Sequence, residues 1–184
     1  MIEKQKKEEG ECLVSCVLFD NDSEVIYDRV PVDEVKPMTL DDYCVGGCTA
    51  LVDSLGGAIH HISNVHKYIR EEDRPENTIF IITTDGYENA SHKYTSKKLK
   101  KMVSEKTKQG WEFIYMAANI DAVSTGANFG IRADRAINYN CDSEGTAIMY
   151  DAVCEAVSNV RNCKRMGSTW AARVNDDYKA RGRR

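Results

Sequence analysis

The sequence predicts an α/β fold: a three-layer α/β/α arrangement with a mainly parallel sheet and one antiparallel edge hairpin strand. Three observations predict it. Short apolar runs at 78–84 and 111–118 alternate with stretches of helical apolar periodicity. The polar turn Asp20-Asn21-Asp22-Ser23 joins the two opening strands directly, and so short a link makes them antiparallel. The run Thr78-Ile79-Phe80-Ile81-Ile82 has no charge and no alternation, the pattern of a strand buried on both faces.

The bulk properties suit such a fold. A chain of 184 residues favours one domain and can bury about 70% of its unfolded surface. With 42% hydrophobic and 29% charged residues, its composition is ordinary for a globular protein. No apolar run approaches the roughly 20 residues of a membrane helix, and Met1 to Glu9 has no apolar signal-peptide core. A cytoplasmic protein without a membrane partner is expected. The seven cysteines are odd in number and form no Cys-x-x-Cys pair, which argues against a disulfide framework or a zinc ribbon. Cys12 and Cys16 share one strand face and suit small buried hydrophobes. Cys44 and Cys48 lie four apart in a loop; a metal or redox pair there stays open, with reduced thiols preferred.

The elements follow in order. Residues 1–9 are good helix formers with Gly10 as a stop, but no N-cap precedes them. Cys12 to Phe19 is nearly continuous in apolar character and reads as an interior strand. Glu24 to Val32 is more polar, and Pro31 suits an edge. Ala50 to Tyr68 carries Leu51, Leu55, Ile59, Ile62 and Val65 on one helical stripe, with Thr49 at the N-cap position. After the strand at 78–84, Thr95 caps a lysine-rich helix that Gly110 ends. Trp111 to Ala118 is a second buried strand, with Asn119 and Asp121 at its C-terminal end, and Ala136 to Tyr139 is a short third. Ser143 to Arg161 is a final amphipathic helix. Residues 164–184 hold seven basic and two acidic residues, read as a basic tail outside a domain spanning 1–163.

Right-handed crossovers place every strand-to-helix loop on one rim of a parallel sheet. The Thr49 loop and the Asp85 loop are therefore predicted to meet there. A hydroxyl and a carboxylate at one rim suit a hard cation such as magnesium, which takes oxygen ligands near-octahedrally. They form only part of its shell.

Gly46-Gly47-Cys48-Thr49-Ala50-Leu51, followed by Ile81-Ile82-Thr83-Thr84-Asp85-Gly86-Tyr87-Glu88-Asn89, resembles the von Willebrand factor A (VWA) domain. The order of elements over residues 1–161 matches as well. The resemblance implies a Rossmann-like fold and a metal-ion-dependent adhesion site (MIDAS) assembled from three loops. Thr49 would bind a Mg2+ or other divalent ion through its hydroxyl. Asp85 would ligate it directly or hold a coordinated water. A carboxylate from a protein partner would complete the shell, and no bond would be made or broken. The family's first loop, Asp-x-Ser-x-Ser after the first strand, has no counterpart before Cys12. The missing strand, loop and helix start amount to roughly 20–30 residues. Met1 is accordingly expected to be an internal methionine or a truncation point. Three consequences are expected: weak or absent magnesium binding, gaps beside strands 12–19 and 78–84, and either pairing of those two strands with each other or self-association through the missing-strand gap.

Two other functions compete. A metal-dependent hydrolase or phosphatase could use Asp85, but the chain has no Gly-x-x-x-x-Gly-Lys loop, Gly-x-Gly-x-x-Gly or Gly-x-Ser-x-Gly elbow. His61 and His66 are five apart, unlike a helical zinc pair. Nucleic-acid binding through Lys97, Lys98, Lys100, Lys101, Lys106, Lys108 and the basic tail competes with a solvated helix face, which is the preferred reading.

Overall fold

The computed structural model describes residues 1–39, 47–162 and 166–182. The chain divides into two compact units. A hairpin unit holds 2–74 and 88–95, and a sheet unit holds 75–87 and 96–184 together with Met1.

The hairpin unit begins with a single helical turn, α1 (Ile2–Gln5), rather than a helix over 1–9. Its hydrogen bonds tighten to three-residue spacing at Lys7 and Glu8, and Gly10 follows at φ 84°. β1 (Leu13–Phe19) and β2 (Ser23–Pro31) pair antiparallel as the turn chemistry predicts. Their register slips on either side of Cys16. Arg29 sits there at φ 52°, its N–H donating to the Ser15 hydroxyl at 3.0 Å. An extra residue of this kind bends a strand and strengthens its twist. α2 (Leu51–Tyr68) buries Leu51, Leu55 and Ile59 of the predicted stripe and, beside them, Val52, while Ile62 and Val65 are half-buried.

The sheet unit is built on β3 (Ile79–Thr84), β4 (Glu112–Ala117) and β5 (Ala136–Asn138), parallel and in that order. The central strand is β4, whose Phe113 to Ala117 are all buried. Ile114 and Met116 face Met149, Ala152, Val153 and Ala156 of α5 (Ser143–Arg161). On the opposite face Tyr115 meets Phe129 of α4 (Ala122–Phe129) edge-on, ring centres 6.0 Å apart. α3 (Ser96–Lys108) buries Leu99 and Val103. Alternate β4 side chains thus serve two faces, which is why a continuous apolar run marks this strand.

Four readings are corrected. β3 is not fully buried on both faces: Ile79, Phe80 and Ile81 are only half-buried, and among the described residues a strand pairs with it on one side alone, so it is an edge there. β1 is no interior strand either: among the described residues it pairs with β2 alone, and Leu13 is 48% exposed. The hairpin is not the edge of the parallel sheet; the two sheets are separate, and among the described residues no strand pairs with both β1 and β3. Residues 166–182 are docked. Met166, Ala171 and Val174 belong to the core against α5, and α6 (Ala172–Arg181) is helical. Buried Arg135 anchors this segment by donating to the Met166 carbonyl at 2.8 Å and to Glu112 at 3.0 Å. Trp170 donates its indole N–H to the Asp134 carbonyl at 2.8 Å. Composition shows the charge of this segment; the apolar contacts that seat it come from residues spaced too widely to stand out.

Cys12 and Cys16 are half-buried, Cys48 and Cys141 exposed, Cys154 buried, and all five are free thiols. Cys44, Cys163 and Gly46 lie outside the described residues. No described helix is long and apolar enough to cross a membrane.

Candidate functional site

Asp85 stands directly after β3, at the C-terminal rim of the parallel sheet. The rim holds its backbone. The Thr84 hydroxyl donates to the Gly86 carbonyl at 3.1 Å. Asn119, at the same end of β4, extends its amide towards the Asp85 carbonyl at 3.5 Å. Asn119 adopts φ 61°, a left-handed conformation that asparagine tolerates better than most residues. The Asp85 carboxylate is exposed and, among the described residues, has no hydrogen-bond or ion-pair partner. Asp121 faces a different task. It caps α4, accepting from the N–H groups of Val123 and Ser124. The Ser124 bonds hold its carboxyl below the usual carboxylate range.

Thr49 lies in the hairpin unit, just before α2. The N-cap is Ala50, one residue later than predicted, and no side chain of its own caps the helix. Thr49 instead forms a two-bond ring with Asn89: its N–H donates to the Asn89 side-chain oxygen at 2.8 Å, and the Asn89 N–H donates to its carbonyl at 3.0 Å. The Thr49 hydroxyl has no partner among the described residues.

The loop from Glu88 to Tyr94 caps α2 in trans, and the sequence reading missed this. Glu88 accepts from the Val52 N–H at 2.7 Å and the Ser91 hydroxyl at 2.8 Å with one oxygen, and from the Ala90 and Ser91 N–H groups with the other. The Ser91 hydroxyl accepts from the Asp53 N–H at 2.9 Å. In return Asp53 accepts from the N–H groups of His92, Lys93 and Tyr94 at 2.7 to 3.0 Å. Burial alone would raise the Asp53 carboxyl; the three N–H groups and the Lys93 charge outweigh it and hold it below its ordinary value. This exchange satisfies first-turn N–H groups that a helix otherwise leaves orphaned. The available signal was the helix itself: an acid and no adequate cap at its start, with Glu88-Asn89 and Ser91 just after the aspartate loop.

The structure therefore sorts the polar residues by task. Asp53, Glu88, Asn89 and Ser91 are committed to structure. Thr49 and Asp85, the two predicted ligands, keep their side-chain oxygens uncommitted, each within its own unit. An oxygen-only donor set fits a hard cation, but two donors are a minority of six. Among the described residues no group of three or more His, Cys, Asp and Glu side chains is placed to hold a metal. The histidines have other neighbours: His61 meets Asp28 at 3.0 Å, and His60 meets the Asn64 amide at 3.0 Å.

Comparisons of the chain with family models, with curated proteins and with solved structures found no match.

Proposed function

We propose that this chain is a non-catalytic protein-binding module of the VWA type, Rossmann-like in architecture, with an incomplete MIDAS. Thr49 and Asp85 are the residues that would hold the divalent ion. The supporting observation is that, among the described residues, the Thr49 hydroxyl and the Asp85 carboxylate have no partner, while the neighbouring Asp53, Glu88, Asn89 and Ser91 are consumed around the start of α2. When bound, the ion would offer an open coordination position to a carboxylate of the partner protein. Asp85 would contribute charge at the rim, and the Thr49 ring with Asn89 would orient the hydroxyl.

Manganese in place of magnesium tests the assignment through paramagnetic broadening of backbone NMR signals. Broadening is expected around Thr49 and Asp85 at about millimolar ion. It should disappear in Asp85→Ala and in Thr49→Ala. Broadening centred elsewhere overturns the residue assignment, and calorimetric affinity near ~1 µM overturns the incomplete site. Asp85-dependent turnover of a generic phosphoester would replace the binding reading with the hydrolase.

A further inference from the structure

We infer that β3 is a self-pairing edge: two copies of this chain join β3 to β3 antiparallel, about a two-fold axis at Ile81, into one continuous six-stranded sheet. The inference rests on the sheet edge alone and is independent of the ion site.

The hydrogen-bond pattern shows which groups are free to pair. The Thr78 carbonyl accepts from the Glu112 N–H at 2.9 Å, and the Thr84 carbonyl accepts from the Ala118 N–H at 3.0 Å. In a parallel ladder, successive residues turn their N–H and C=O to opposite sides. Thr78, Phe80, Ile82 and Thr84 therefore address β4. Ile79, Ile81 and Thr83 present theirs to the other edge, where no strand of either sheet pairs among the described residues.

Nothing on this edge discourages pairing. Proteins blunt open edges with charge, proline or a bulge. From Thr78 to Thr84 there is no charged residue and no proline, and the register with β4 runs unbroken over six pairs.

The occupant follows from self-complementarity. A two-fold axis at Ile81 sets Ile81 opposite its own copy and Ile79 opposite Thr83, so every outward group of the three residues finds a partner. The intervening pairs, where side chains approach most closely, are Phe80 with Ile82 and Thr78 with Thr84. Aromatic with β-branched and Thr with Thr are favourable cross-strand pairs. Beyond the strand, Asp85 falls opposite Asn77, so no like charges meet. An isologous contact of this kind closes at two copies.

Sedimentation of the full chain from about 1 to about 100 µM tests the proposal. A concentration-dependent dimer is expected. The amides of Ile79, Ile81 and Thr83 should gain hydrogen-exchange protection with concentration, while those of Phe80 and Ile82 stay protected throughout. Thr83→Pro removes one outward N–H and no bond to β4, so it should weaken the dimer at least ~10-fold with unchanged helix content. Should that variant fail to fold, Thr83→Lys, which places a charge on the edge, decides the matter by the same criterion. A monomer at the highest concentration overturns the proposal, as does a dimer that the folded variants leave intact.

Discussion

Replacing Glu88 by alanine tests whether the 88–94 loop holds the start of α2. The substitution removes four accepted hydrogen bonds, one of them from the Val52 N–H in the first turn of the helix. Losing an N-terminal cap costs about 1 kcal/mol. Losing a carboxylate beside the positive end of a helix costs a further ~0.5 to 1 kcal/mol. The N–H groups of Ala90 and Ser91 are only half-buried and regain water, so they add about 0.5 kcal/mol. The expected loss is about 2 to 2.5 kcal/mol, which for a chain of this length lowers the melting temperature by roughly 4 to 10 °C. Urea unfolding followed by circular dichroism measures it. Glu88→Gln retains one accepting oxygen but turns an NH2 towards donors, so it should recover less than half of the loss. A loss below ~0.5 kcal/mol in the alanine variant would refute the reasoning, because the helix start would then have other support.

Two further outcomes bear on the same unit. Gly56 and Gly57 are neighbours in α2 with opposite surroundings. A Cβ on Gly56 would lie 2.7 Å from the Tyr94 ring, whereas one on Gly57 meets nothing within 4 Å. Gly57→Ala should therefore stabilise by about 1 kcal/mol through helix propensity, and Gly56→Ala should destabilise despite it; thermal melts that rank the two the other way contradict the packing. The Asp53 carboxyl is held below its unfolded value, so its stabilisation is fully present above about pH 4 and fades as pH falls through the folded value. The stability gap between the wild type and Asp53→Asn should be widest near neutrality and vanish in acid; a gap that stays constant with pH would contradict the assigned charge interaction.

Much of the fold was legible because its signals are local. The polar turn at 20–23 announced the hairpin, and the period of α2 and α5 follows from apolar spacing alone. From Phe113 to Ala117 β4 is continuously apolar and is buried on both faces. β3 carries an equally apolar run and is an edge. Apolarity reports what covers the faces of a strand, and it is silent about whether a neighbour hydrogen-bonds along its side. The capping of α2 was hidden for a related reason. Its donors and acceptors lie about 36 to 41 residues apart, well beyond any helical or strand period.

The sequence by itself determined the α/β class, the hairpin, the order of the elements and the positions of Thr49 and Asp85 just after or just before regular structure. Each depends on periodicity and turn chemistry within a few residues. Only the tertiary structure decided that the strands form two sheets rather than one, that Met166, Ala171 and Val174 seat the basic segment, and that Glu88 and Asp53 are structural while Thr49 and Asp85 keep free oxygens. Those outcomes depend on which distant groups satisfy one another, and a buried or half-buried polar group takes whichever partner the fold brings within reach.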